Sequence, residues 1–303
     1  MRIRILAPLS LVFCMLTPTP DSMAQVTGPV SAPAELLSCS GLPCVDVKWS
    51  NGQVLHLAID TGNPRSILDS TSAAKLGIKL EPFHAPDGRA LPGMSQGVLP
   101  DISLGSSSLS QIKVAVLSLK SAVDSGQMPR VDGTLGWGAF RDRILRLNFT
   151  QHTVEITDPR TGEGTCRGGK ISFVTFGKTG PPIVATTGFR VNDAPVFVQV
   201  DTMFAGTLLL FPEAALKLGL GNEASSSRKE HFPFTDSGVD LIRSEASDES
   251  FGSVKFGSNL PLYFSTPGVH LPDGLFDGTV GIGLLEHGIA TFDFKAMCFE
   301  LSR

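Results

Sequence analysis

No block of basic residues occurs anywhere in this 303-residue chain, and its formal net charge is −4. Nucleic acids and anionic membranes are bound through clustered Lys and Arg, so neither is expected as a partner. The six histidines form no HExxH pattern and no other paired spacing, which argues against metal-dependent hydrolysis. No GxxxxGK[ST] loop is present to cradle a nucleotide phosphate. A serine nucleophile elbow is not expected either. Ser106-Ser107-Ser108 and Ser225-Ser226-Ser227 read as solvated loops. No cofactor and no metal are therefore expected.

Long apolar runs are also lacking. The one near the start, from Ile5 to Leu16 behind Arg2 and Arg4, is too short to span a bilayer comfortably. With Ser22-Met23-Ala24 as a small-x-small cleavage site, it reads as an export signal over residues 1–24. The mature chain is expected to be secreted or periplasmic, with no membrane anchor. Phe13 before Cys14 is too bulky for a lipid-attachment signal.

Export gives the remaining cysteines a meaning. Cys39, Cys44, Cys166 and Cys298 are an even set, which suggests two disulfides with three possible pairings. Cys39 with Cys44 closes a short local loop, and Cys166 with Cys298 then ties the start of the second half to its end. This pairing is favoured. A zinc site is not expected, because no His and no second cysteine pair sits at ligand spacing.

What the chain has in quantity is turn formers between short apolar runs. It contains 32 Gly and 21 Pro, with 42% hydrophobic and 18% charged residues. That composition is globular and favours an all-β fold. The most informative feature is an internal duplication. Val54-Leu55-His56-Leu57-Ala58-Ile59-Asp60-Thr61-Gly62 follows an Asn-containing turn, and so does Val196-Phe197-Val198-Gln199-Val200-Asp201-Thr202-Met203. Ser66-Ile67-Leu68 matches Thr207-Leu208-Leu209. A short helix is expected after each, one near 71–76 stopping at Gly77 and one opening at Pro212 and stopping at Gly219. Asp132-Gly133-Thr134-Leu135-Gly136 recurs as Asp277-Gly278-Thr279-Val280-Gly281 at nearly the same offset, and a closing hairpin follows each copy.

The chain therefore divides into a signal (1–24), a disordered leader (25–36), a first lobe (37–160), a turn-rich linker (161–180) and a second lobe (181–303). Each lobe carries a polar insert. The first, around Asp87-Gly88-Arg89 with Gly93 and Gly97, reads as a hairpin over a cleft or a plain surface loop; the second runs from 221 to 248. Asn148-Phe149-Thr150 fits a glycosylation acceptor but falls on an expected strand and is set aside.

Two strands ending in Asp-Thr, brought together, would place Asp60 and Asp201 side by side. Carboxylates at about 3 Å share one proton, so the charged member can activate a water while the neutral one polarises a carbonyl. Ile59-Asp60-Thr61-Gly62 and Asp132-Gly133-Thr134-Leu135-Gly136 resemble the aspartic protease family, in particular its bacterial retropepsin-like members. The doubled arrangement resembles the single-chain bilobal plan of pepsin.

The resemblance implies two similar six-stranded-type lobes about a pseudo-twofold axis, with a cleft between them. It implies a catalytic dyad of Asp60 and Asp201, with Thr61 and Thr202 cross-bonded beneath it. It implies that Gly62 lets backbone approach the carboxylates, that Gly136 and Gly281 are the small residues of the ψ-shaped loops, and that Asp132 and Asp277 are structural. The implied partner is a peptide or protein substrate, cleaved by a monomer.

Two departures stand out. Met203 and Phe204 replace the small residues expected after Asp201-Thr202, and Asn63-Pro64 follows Gly62. They keep open a degenerate relative that binds peptide or carbohydrate in the groove. A chain in which only the first lobe works, paired with a second copy, is a third reading.

Overall fold

The computed structural model describes residues 32–49, 51–85, 88–159, 166–175, 182–220, 229–232, 239–246, 248–257, 260–265 and 275–303. The export signal, its cleavage site and Asp87 of the first insert lie outside these residues. The fold is all-β, as the composition implied, and its strands form two large sheets.

The first sheet is built from residues 37–117 and 133–136. At its centre Val54–Asp60 runs parallel to Gly133–Gly136, with Ile59 opposite Leu135 and Asp60 opposite Gly136. Gly133–Gly136 also pairs antiparallel with Ser66–Asp69, which runs parallel to Ile112–Leu117. The second half repeats this order. Ala194–Val200 runs parallel to Gly278–Val280, with Val200 opposite Val280. Gly278–Val280 pairs antiparallel with Leu208–Leu210, which runs parallel to Leu260–Ser265. The duplication in the sequence is thus a duplication of strand pairings.

The halves are joined edge to edge. The two closing hairpins are Ile144–Asn148 with Thr153–Thr157, and Ile289–Asp293 with Cys298–Ser302. Ile144–Asn148 then pairs antiparallel with Ile289–Asp293, so one sheet carries strands from both ends of the chain. Leu145, Leu147, Phe292 and Phe299 are fully buried along it. Burial of each such side chain contributes about 1.5–3 kcal/mol. Cys166 and Cys298 are disulfide-bonded, with Cα atoms 5.6 Å apart, and pin Gly169–Thr175 to the same sheet. That strand lies within the segment read as a linker. Ala34–Glu35, within the segment read as a leader, pairs with Thr153–Thr157, and Leu36 is buried.

The two expected helices are present. Ser70–Lys75 begins at Asp69, whose carboxylate accepts from the Thr71 N–H at 2.8 Å, and Gly77 follows it in left-handed backbone (φ 64°). Pro212–Lys217 starts on its proline and is followed by Gly219 (φ 73°). Short helices at Lys120–Asp124 and Ile282–Leu285 were not anticipated from the sequence. The first insert is a hairpin of Glu81–His84 with Ala90–Leu99, and Lys229–Phe232 pairs with Val239–Ala246 in the second.

Candidate active site

Asp60 ends the strand Val54–Asp60, and Asp201 directly follows Ala194–Val200. Beneath them the two threonines exchange hydrogen bonds. The Thr61 N–H donates to Thr202 Oγ1 at 3.0 Å, and the Thr202 N–H donates to Thr61 Oγ1 at 3.1 Å. Each hydroxyl donates in turn to the carbonyl two residues before the other Asp-Thr pair's threonine: Thr61 to Val200 O at 2.8 Å, Thr202 to Ile59 O. Both threonines are fully buried. Every donor and acceptor in this lattice is matched, so it fixes the separation of the two strand ends.

That separation leaves Asp60 within electrostatic reach of Asp201. The Asp201 carboxyl lies directly over the Gly62 Cα: a Cβ on Gly62 would stand 2.3 Å from Asp201 Cγ and 2.5 and 2.6 Å from its oxygens. Only glycine allows this approach. Gly136 and Gly281 serve a different contact. A side chain at Gly136 would meet the Arg65 and Asn63 backbone at 2.6–2.7 Å, and one at Gly281 the Phe204 and Gly206 carbonyls at 2.2–2.4 Å.

Asp132 and Asp277 lie off the strand ends and bond the backbone in matching ways. The His56 N–H donates to Asp132 Oδ2 at 2.9 Å and the Phe197 N–H to Asp277 Oδ2 at 2.8 Å. Each carboxylate thus holds the backbone of the strand that leads to an Asp-Thr pair.

Burial dominates the electrostatics of the pair. Asp60, only 8% exposed, is pushed well above the usual carboxylate range by burial and then by the Asp201 charge beside it; the Gly62 and Asn63 N–H groups oppose the shift. Burial also raises Asp201, to about 6, against hydrogen bonds from the Met203 and Phe204 N–H groups. A buried pair of like charges avoids double ionisation, so the first proton is retained over a wide pH range.

Met203 does not turn away from this centre. Its N–H donates to Asp201 Oδ1 at 2.8 Å, and its side chain packs on the cluster of Cys39, Cys44 and Ala58 in the other half. Gln199, a residue the sequence reading passed over, donates from Nε2 to the Gly62 carbonyl at 3.0 Å. Ala58 and Gly62 occupy the same places in the first copy as Gln199 and Met203 in the second. The larger residues of the second copy therefore reach across to the first. Comparing the copies position by position would have exposed this asymmetry in the sequence.

A GxSxG string does occur, at Gly93-Met94-Ser95-Gln96-Gly97. It is no elbow: Ser95 sits inside the strand Ala90–Leu99, paired with Val116 and Pro82, whereas the motif needs a strand-to-helix turn. Asn148 is buried and bonded to Gln151, which agrees with setting its glycosylation aside. Among the described residues two groups offer three metal-ligating atoms close together, Cys39/Cys44/His56 and Cys166/Cys298/Glu300.

No curated protein matches the chain. Residues 45–139 match the family model described as aspartyl protease. This span contains Asp60-Thr61-Gly62 and the Gly133–Gly136 strand paired beside it. Over residues 45–139, the chain is similar to the aspartic protease family.

Proposed function

We propose that the protein is an exported aspartic endopeptidase, which hydrolyses peptide bonds with a water activated between Asp60 and Asp201. The reading takes the halves as lobes about a pseudo-twofold axis, with the substrate in the cleft between them. One observation carries it: the mutual Thr61–Thr202 hydrogen bonds, which hold two Asp-bearing strand ends together. Asp201, taken as the ionised member, accepts a proton from the water as it attacks the scissile carbonyl. Asp60, still protonated, donates a hydrogen bond to the carbonyl oxygen and stabilises the charge that develops there. No metal and no cofactor enter this step.

The test is peptide cleavage by the wild type, Asp60→Asn and Asp201→Asn. Loss in both variants supports the dyad, and equal activity in all three overturns it.

Met203 favours one second reading, a groove-binding protein without peptidase activity. It stands directly after Asp201-Thr202, where the first copy has only Gly62. An inert wild type together with a Met203→Gly variant that cleaves peptide would favour that reading. The packing of the Met203 side chain on the Cys39, Cys44 and Ala58 cluster and the retained N–H bond to Asp201 support catalysis instead. Export fits the two disulfides, and among the described residues no helix is long and apolar enough to cross a membrane. A monomer suffices, because one chain supplies both aspartates.

A further inference from the structure

Cys39 and Cys44 flank the turn between Leu37–Cys39 and Leu42–Trp49, where Ser40 and Gly41 adopt left-handed backbone (φ 53° and 85°). Four residues separate the cysteines, within the spacing of zinc-binding Cys pairs on a tight turn. A third ligand arrives from the neighbouring strand. His56 Nε2 lies 2.7 Å from Cys39 Sγ, and its Nδ1 lies 2.7 Å from Asp46 Oδ1. With Nδ1–H donated to that carboxylate, the Nε2 lone pair points at the sulfurs. This is how metal-binding histidines are usually held, by a carboxylate that fixes tautomer and ring orientation. The two sulfurs and Nε2 all lie within 4.8 Å of one another.

We propose that Cys39, Cys44 and His56 form a zinc site when the cysteines are in the dithiol state, with disulfide and metal as alternative occupants of one hairpin. Here the cysteines are joined as a disulfide, with Cα atoms 5.9 Å apart. An external dithiol reduces the bridge with two electrons, yielding two thiols and its own cyclic disulfide. Zinc then displaces both thiol protons and takes His56 Nε2 as its third ligand. His56 also borders a cavity of about 520 Å³, shared with Val131 and Asp132, which offers an entry path and room for a water as fourth ligand. The other three-ligand group is a poorer candidate: Glu300 Oε1 already accepts from the Arg167 N–H, and no histidine joins it. The proposal is independent of the peptidase reading.

The test is a Co²⁺ titration of the full chain, reduced with a dithiol that is then removed under argon. One equivalent of Co²⁺ is expected to give thiolate-to-metal charge-transfer absorption that Zn²⁺ displaces. The band should vanish in Cys39→Ser/Cys44→Ser, which keeps Cys166 and Cys298. Asp46→Asn, an exposed change with little bearing on folding, should weaken Co²⁺ binding about 10–100-fold. Absence of the band in the wild type, its survival in the double variant, or unchanged affinity in Asp46→Asn would each overturn the site.

Discussion

Gln199 and Gly62 meet where the two copies of the repeat join, Nε2 of one donating to the carbonyl of the other at 3.0 Å. On the other side, Met203 packs on the cluster of Cys39, Cys44 and Ala58. A duplicated sequence would place identical residues on both diagonals. This chain has instead moved bulk to the second copy and emptied the first.

The packing of Met203 on the cluster that contains Ala58 predicts coupled substitutions. Ala58→Leu alone overfills the space and is expected to cost about 1–3 kcal/mol. Combining it with Met203→Ala should recover much of that loss, since residues in contact do not behave additively. Urea unfolding of the four proteins in the cycle checks this. Strict additivity would mean the two side chains do not share space.

Gly62→Ala tests the closeness of the carboxyl groups. The new methyl collides with the Asp201 carboxyl, which must move by an ångström or more to relieve it. Misplacement of that size can lower turnover about 10²-fold. A peptide-cleavage assay should show this loss without a matching loss of folded protein.

The threonine lattice predicts a stability cost. Thr202→Val leaves the Thr61 N–H without its acceptor and the Ile59 carbonyl without its donor in a buried site. Each stranded group costs about 1–3 kcal/mol. Thr202→Ser keeps the hydroxyl and should be much milder, so denaturant midpoints of the two variants separate the hydrogen bonds from the methyl packing.

Activity and stability should respond to pH in opposite directions. The singly ionised dyad forms as Asp201 loses its proton near pH 6, so the acid limb of kcat/KM is expected there. The simple expectation for such a dyad is a mildly acidic optimum; burial moves it toward neutrality. Stability runs the other way. Asp60, Asp201 and Glu249 all hold protons in the folded state that the unfolded chain has lost by about pH 5. Their stabilising effect is complete below the unfolded values and is lost as pH rises through the folded ones.

Glu249 isolates that effect away from the dyad. It is 2% exposed, burial raises it to about 7, and among the described residues neither oxygen has a hydrogen-bond partner. A shift of this size corresponds to about 3 kcal/mol between pH 4 and 8. Glu249→Gln should flatten the fall in stability over that range while leaving the acid limb of activity in place. An unchanged slope would show that Glu249 ionises without penalty.

The sequence alone determined whatever is local or repeated. Short apolar runs between turn residues gave the strands, Pro212, Gly77 and Gly219 marked helix ends, and the doubled Asp-Thr with its later Asp-Gly-x-x-Gly carried the family resemblance. The even cysteine count gave two bridges with three possible pairings, and the structure holds the favoured one. Tertiary structure alone decided which side chains meet across the chain. It joined the two closing hairpins into one sheet, set Met203 on the Cys39, Cys44 and Ala58 cluster, and brought His56 to Cys39. Spacing in sequence could not show these contacts, because strand register and the packing of one copy against the other bring together residues that the chain keeps far apart.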